Sequence, residues 1–408
     1  MHDGVNDSPS TGCCHTGGGG TVGGDAAFLE AALAVPRAGP EVQRDLREAL
    51  TPIPGGIFEM GARKSRFPDD LDSPRRKVRV SPFRMSSIAV TNAQYARFTE
   101  ATGYRTLAEV EGWSYVFHLL LADVDAWPVH PPGLTWWRQV EGACWHSPEG
   151  PGSDWRDRAD HPVVHISWYD ALAYVTWAGL RLPREAEWER AARGGLVNMK
   201  FPWGNRLVPE SGFAMNTWQG DFPHHNSAED GFVGTAPVDA YAPNGYGMYN
   251  MTGNVWEWVQ DRYGPRAPAG PLPLRDPTGP DTGYARIQRG GSFLCHVSLL
   301  RPLPRAFPHP KRSRQLNLEL RLPGGLRRLS VPAPAAAGSP SRPPRRCGTV
   351  SRGLPVSAAP RILGKSARCN WRRRPDRAWG RSGQWHPAST GGCIRAPAPV
   401  PRGTAPVC

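Results

Sequence analysis

Period-two and helical patterning separate most clearly around residue 91. KVRVSPFRMSSIAVT (77–91) alternates apolar and polar positions, which predicts strand with one buried face. Thr91 and Asn92 then stand as caps before NAQYARFTEATG, whose apolar residues fall at helical spacing and whose Gly103 supplies a stop. The same logic recurs at Ser167, which caps SWYDALAYVTWAG and ends at Gly179. A further helix is predicted over REAEWERAARGG (184–195), just after LRLP. Upstream, IPGGIFEMG reads as a short apolar strand with a Gly-Gly turn, and AAFLEAALA as a short helix ended by Pro36. Between these elements lie long stretches rich in Trp, Gly, Pro and Asn with little periodicity. Loops of that length are uncommon in a compact domain unless they are functional or pinned by ligands. The expectation is a loop-rich α+β domain.

Composition divides the chain into three. Residues 1–50 contain GGGGTVGGD (17–25), a linker composition, and read as a flexible lead-in. Residues 51–296 are dense in core-forming side chains. Residues 297–408 turn to Arg, Pro, Ala and Gly, as in VPAPAAAGSPSRPPRR; nothing there buries a core, and disorder is expected. The net charge of +13 over 408 residues would suggest a nucleic-acid or membrane partner. Its distribution argues against both. From Val297 onward there are 22 Lys+Arg against 2 Asp+Glu, leaving 27 against 34 for the rest, so the body is mildly acidic. Four scattered body cysteines (Cys13, Cys14, Cys144, Cys295) make no secreted disulfide framework. The Gly-rich N-terminus lacks the apolar core of a signal peptide, and no run is long enough to span a membrane. A cytoplasmic, monomeric protein with no nucleic-acid or membrane partner is expected.

Seven motifs then occur in a fixed order: TPIPGGIFEMG, WWRQVEGACWHSPEGP, HPVVHISWYDALAYVTWAGLRLPREAEWERAARGG, FPWGN, NTWQGDFP, EDGFVGTAPVDAYAPNGYGMYNMTGNVWEW and RGGSFLCH. Single motifs of this kind are weak; seven in order are specific. On them the chain resembles the formylglycine-generating enzyme (sulfatase-modifying factor) family over about 245 residues. The resemblance implies a loop-rich fold distantly like C-type lectins. It implies an oxidase that converts one cysteine of a sulfatase, in a Cys-x-Pro-x-Arg-like motif, to Cα-formylglycine, with copper(I) and molecular oxygen. It also implies two calcium sites, one at Asn216, Thr217, Asp230 and Phe232, the other at Asn250, Gly253, Val255 and Glu257. Such sets make physical sense, because Ca²⁺ takes six to eight hard oxygens, main-chain carbonyls among them, and pins irregular loops. Cys295 is implied as a copper thiolate, with Ser292, His296 and Trp256 lining the same site. Soft thiolates select soft Cu(I).

The resemblance implies a second copper cysteine at position 300, where Leu300 stands. We read this as a frame change near Val297. Ser298 to Arg305 (SLLRPLPR) can be encoded so that reading one base later yields Pro-Tyr-Cys-Asp-Arg-Tyr-Arg. Arg312 to Pro323 (RSRQLNLELRLP) can yield Ala-Ala-Gly-Asn-Ser-Thr-Leu-Asn-Phe-Gly-Phe-Arg by the same shift. The first restores the cysteine, the second the family's closing strand. The chain as written is then expected to lack oxidase activity, and loss of a closing strand to leave unpaired backbone and poor folding. A non-catalytic family member that binds sulfatase-like peptides is the alternative. The iron-dependent sulfoxide synthase branch is disfavoured, because it needs N-terminal metal-binding histidines and the first fifty residues offer only His2 and His15.

Overall fold

A computed structural model describes residues 22–64, 70–266, 268, 270–283 and 285–295, with the residue pairs 305–306, 318–319 and 323–324. The chain divides into two units at Val331, and every described residue lies in the first.

The local signals give the expected helices. α3 (Asn92–Thr102) and α5 (Trp168–Ala178) each begin with a capping box, from Thr91–Gln94 and Ser167–Asp170 respectively. Each ends on a left-handed glycine, Gly103 and Gly179, both with φ of 65°. α6 spans Glu185–Ala192. α4 (Leu107–Glu111) was not foreseen; it is a single turn closed by its own Thr106–Glu109 capping box.

The lead-in reading of residues 1–50 needs correction from residue 22 onward. α1 (Val22–Ala34) and α2 (Pro40–Glu48) are helices that pack on α5. Ala32 and Leu50 are buried, Phe28 stacks on Tyr169, and the Ala38 amide donates to the Trp177 carbonyl at 2.8 Å. Gly23 and Gly24, which belong to the linker-like stretch, lie in the first turn of α1, and Pro40 at the first position of α2 is preorganised for a helix start. Residues 1–21 lie outside the described residues.

The strands form small sheets. β1 (Thr51–Ile53) pairs antiparallel with β4 (Phe83–Met85). β2 (Gly56–Met60) pairs antiparallel with β3 (Arg76–Val80), as the alternating pattern predicts. β5 (Trp113–Phe117) and β6 (Trp137–Glu141) make a separate antiparallel pair, and β7 (Gly220–Asp221) and β8 (His225–Asn226) a two-residue ribbon. β9 (Trp256–Arg262) lies beside β11 (Arg286–Arg289), and β10 (Leu274–Arg275) runs parallel to β3. Three short strands follow: β12 (Arg305–Ala306) on β11, β13 (Leu318–Glu319) parallel to β9, and β14 (Pro323–Gly324) on β4. The four-stranded order is therefore β12-β11-β9-β13. The expectation of an unpaired edge is thus corrected at Trp256 and Glu257, whose backbone is paired by Leu318 and Glu319. A strand's main-chain bonding tolerates a changed sequence better than a side-chain site does, because the ladder uses groups that every non-proline residue carries. Apart from these three strands, residues 297–408, the expected disordered tail, lie outside the described residues.

Two apolar clusters meet at β9. One joins α3 and α5 through Tyr95, Phe98, Tyr174 and Trp177, and reaches Trp256, Trp258 and Cys295. The other packs α6 against β2 and β3 through Trp188, Val78 and Val80. Among the described residues no helix is long and apolar enough to cross a membrane.

Candidate active site and metal loops

β11 ends at Arg289, and Gly290 and Gly291 turn the chain with φ of 102° and 81°. A tight turn follows in which the Cys295 amide donates to the Ser292 carbonyl at 2.9 Å. This folds the Cys295 sulfur back onto the Ser292 amide, which donates to it at 3.3 Å; the Ser292 hydroxyl lies 4.0 Å from the sulfur. The Ser292 hydroxyl also accepts from the Leu294 amide at 3.3 Å. Ser292 and Cys295 are buried, and Trp256 shares the apolar cluster that contains Cys295. Three of the four residues predicted for the active site thus lie in one neighbourhood. His296 and Leu300 lie outside the described residues. Cys144 is far along the chain on a turn facing Ser147, and neither it nor Cys295 forms a disulfide.

The first predicted calcium loop is tied together by Asp230. Its carboxylate accepts from the amides of Thr217 (2.8 Å) and Phe232 (3.1 Å) and from the Gln219 side chain (2.8 Å). An ionised carboxylate offers about four acceptor sites, so capacity for a cation remains. Asn216 donates through Nδ2 to the Gly234 carbonyl and the Asn254 side chain, while its buried Oδ1 has no hydrogen-bond partner among the described residues. Asp230 also acts on Tyr241, whose hydroxyl is pushed above its ordinary pKa by burial first and by that negative charge second.

The second predicted loop shows the same signature. Asn250 adopts a left-handed backbone (φ 45°) and donates to the carbonyls of Pro237 and Val238, which leaves its buried Oδ1 without a hydrogen-bond partner among the described residues. Gly253 has φ of 80° and donates to Gly290. Val255 and Glu257 are buried, and Glu257 accepts from the Trp188 indole at 2.6 Å. An orphaned buried amide oxygen in each loop is what a hard cation would satisfy. Among the described residues no three His, Cys, Asp or Glu side chains converge as a metal cage. The predicted calcium sets do not require one, since each has a single carboxylate and draws its other oxygens from amides and the main chain.

The copper set is different. The described turn supplies one thiolate, Leu300 stands where the resemblance places the other, and one sulfur does not make a two-coordinate site. The donor set as written does not fit Cu(I).

Sequence reasoning missed two contributors. The Trp188 indole holds Glu257, although Trp188 reads only as a core position of α6. Asn254 lies between predicted ligands, and nothing in TGNVWEW distinguishes it. In the structure it is fully buried with φ of 59°, and its side chain bonds Asn216 and both main-chain groups of Ala236.

The sulfatase-modifying factor enzyme 1-like family model matches residues 37–321. The chain belongs to this family. Its members include the formylglycine-generating enzyme of Thermomonospora curvata, which is 52% identical over 268 residues, 65% of this chain and 88% of that protein. The formylglycine-generating enzyme of Mus musculus is 47% identical over 251 residues, 61% of this chain and 67% of that protein. The inactive Cα-formylglycine-generating enzyme 2 of Bos taurus is also 47% identical, over 219 residues, 52% of this chain and 71% of that protein. The family match begins between α1 and α2 and takes in β12 and β13. Both catalysts and an inactive member therefore stand at similar distance from this sulfatase-modifying factor family chain.

Proposed function

We propose that the gene behind this chain encodes an oxidase that converts a sulfatase cysteine to Cα-formylglycine, and that the chain as written is impaired. The observation that carries the reading is the buried Ser292–Cys295 turn, braced by two loops with calcium-type donors, in a chain 52% identical to a formylglycine-generating enzyme over 268 residues. Overall, the reaction turns a CH₂–SH group and O₂ into an aldehyde, hydrogen sulfide and water, with two electrons and two protons from a thiol reductant. Copper(I), held by two thiolates, would supply oxygen activation. Cys295 is one of them; the other would return with the shifted frame. Calcium at the two loops is part of the same proposal, as is a sulfatase polypeptide with a Cys-x-Pro-x-Arg-like motif as substrate.

The test has two arms. The chain as written, incubated with copper, reductant and a sulfatase-derived cysteine peptide, is expected to give no aldehyde by mass spectrometry. The chain carrying the shifted frame from about Val297 is expected to bind roughly one Cu(I) and to oxidise the peptide, and Cys295→Ser in it to abolish both. Turnover by the unaltered chain at an ordinary enzymatic rate would overturn the first expectation. A folded, calcium-loaded, frame-restored chain that neither binds copper nor oxidises peptide would place the protein with non-catalytic binders. That second reading is favoured by Leu300 and by the 47% identity to an inactive member.

A further inference from the structure

Four hydrogen bonds connect the predicted calcium loops to the thiol turn. The Cys295 carbonyl accepts from the Thr217 hydroxyl and from the Trp218 amide, the latter at 3.3 Å. The Phe293 amide donates to the Asn254 carbonyl at 2.8 Å, and the Gly253 amide to the Gly290 carbonyl at 3.0 Å. The two loops are also joined to each other: the Asn254 amide donates to the Asn216 carbonyl at 2.8 Å, and the two side chains share a bond of 3.1 Å. The thiol turn is therefore held on both flanks by two predicted calcium ligands, Thr217 and Gly253, and by their sequence neighbours Trp218 and Asn254. No ligand role accounts for the Thr217 hydroxyl or for Asn254, because the predicted sets draw on carboxylate, amide and main-chain oxygens and do not include Asn254.

We infer that Thr217 and Asn254 are positioning residues that couple occupancy of the calcium loops to the placement of the Cys295 thiol. The inference rests on the calcium part of the proposed function. An ion in either loop orders segments 216–217 and 250–257, and those segments grip the turn through Cys295, Phe293 and Gly290. Removing the ion loosens the grip and lets the turn open locally, without unfolding the domain. Linkage is reciprocal at equilibrium, so a group on the Cys295 sulfur that requires the open turn must weaken calcium binding.

The experiment uses the full chain and follows alkylation of individual cysteines by peptide mapping. Cys144 is as buried as Cys295 and sits on the separate turn after β6, so it reports general loosening. Chelation is expected to speed alkylation of Cys295 by about tenfold while Cys144 changes less than about twofold. Thr217→Val keeps the main-chain carbonyl and deletes the hydroxyl. It is expected to retain bound calcium yet speed Cys295 alkylation roughly fivefold, with Thr217→Ser restoring the original rate. Bound calcium with an unchanged Cys295 rate on chelation would overturn the coupling alone. Absence of bound calcium in the full chain would overturn the calcium reading and the coupling with it. Equal acceleration of both cysteines, or a Thr217→Val rate equal to the original, would also overturn it.

Discussion

Gly253 shows how tightly single residues are specified around the site. A Cβ there would lie 2.3 Å from the Asn216 main-chain oxygen, and its φ is 80°. Backbone cannot rotate aside as a flexible side chain can. Gly253→Ala therefore combines left-handed strain with a clash, and is expected to cost roughly 2–5 kcal/mol. Gly212 is the matched control. Its φ is 103° with nothing within 4 Å of the added carbon, so Gly212→Ala meets strain only, roughly 1–2 kcal/mol. Urea midpoints of the two variants separate the contributions; equal losses would show that strain alone governs Gly253. The left-handed asparagines Asn250 and Asn254 belong to the same economy, since Asn tolerates that conformation better than other side chains.

At the scale of elements, a buried charge network fastens α6 to β11. Arg289 bonds Glu185 at 3.1 Å and Glu189 at 2.9 Å, Arg193 bonds Glu189 at 2.5 Å, and the Gly61 amide donates to Glu189 at 2.8 Å. Burial would raise the Glu189 pKa, but Arg193, Arg289 and Arg266 overcome it and hold the carboxyl at about 2. Its folded value is depressed, so its stabilisation is complete above about 4.5 and is lost as pH falls toward 2. Asp170 and Asp261 act in the opposite sense. Burial raises both to about 6, Asp261 with help from Glu185, so their cost is relieved as pH falls from 6 toward 3.8. Glu189→Gln is expected to cost about 3–5 kcal/mol at pH 7, by leaving arginine charge buried without its partner. It should also flatten the stability loss below pH 4.5. Denaturant midpoints at pH 7, 4.5 and 3 check this; an unchanged acid limb would sink it. Elements were legible in the sequence where they are locally written. Thr91, Ser167, Gly103 and Gly179 each mark a helix end by chemistry within four residues. The partners of β9 were not legible, because β11 and β13 reach it from about 30 and 60 positions away, and register at that range is set by packing. At the site, Cys295 and the amide oxygens of Asn216 and Asn250 could be placed from motifs. Asn254 and Trp188 could not, since their roles exist only once the loops meet.

For the whole molecule, long aperiodic segments must be held by something other than ladders. The segments 205–219 and 227–255 contain no named helix or strand, yet Asn216, Asn250, Asn254 and Trp218 within them are buried. If calcium closes these loops, binding to the native state alone raises stability by RT ln(1 + [L]/Kd), about 2.7 kcal/mol at a hundredfold excess over Kd. Chelation of the metal-loaded full chain is then expected to lower Tm by several degrees, and calcium, but not magnesium, to restore it. An unchanged melting curve on removing verified bound calcium would remove the assignment.

The strand order β12-β11-β9-β13 also bears on how the polypeptide is made. Domains condense as they leave the ribosome, N-terminal parts first. When Arg289 has emerged, β9 has one neighbour, and both predicted calcium loops and the Glu189 network have all their residues. Its other neighbour, Leu318–Glu319, is translated 23 residues after Cys295. A nascent chain halted between those points would present the outer edge of β9 to chaperones or to other chains. A frame change near codon 297 falls within that interval, so it would rewrite β12, β13 and β14 as well as the chemistry of the site. Ribosome-bound chains ending before and after Glu319 should therefore differ in chaperone capture, with the shorter held longer.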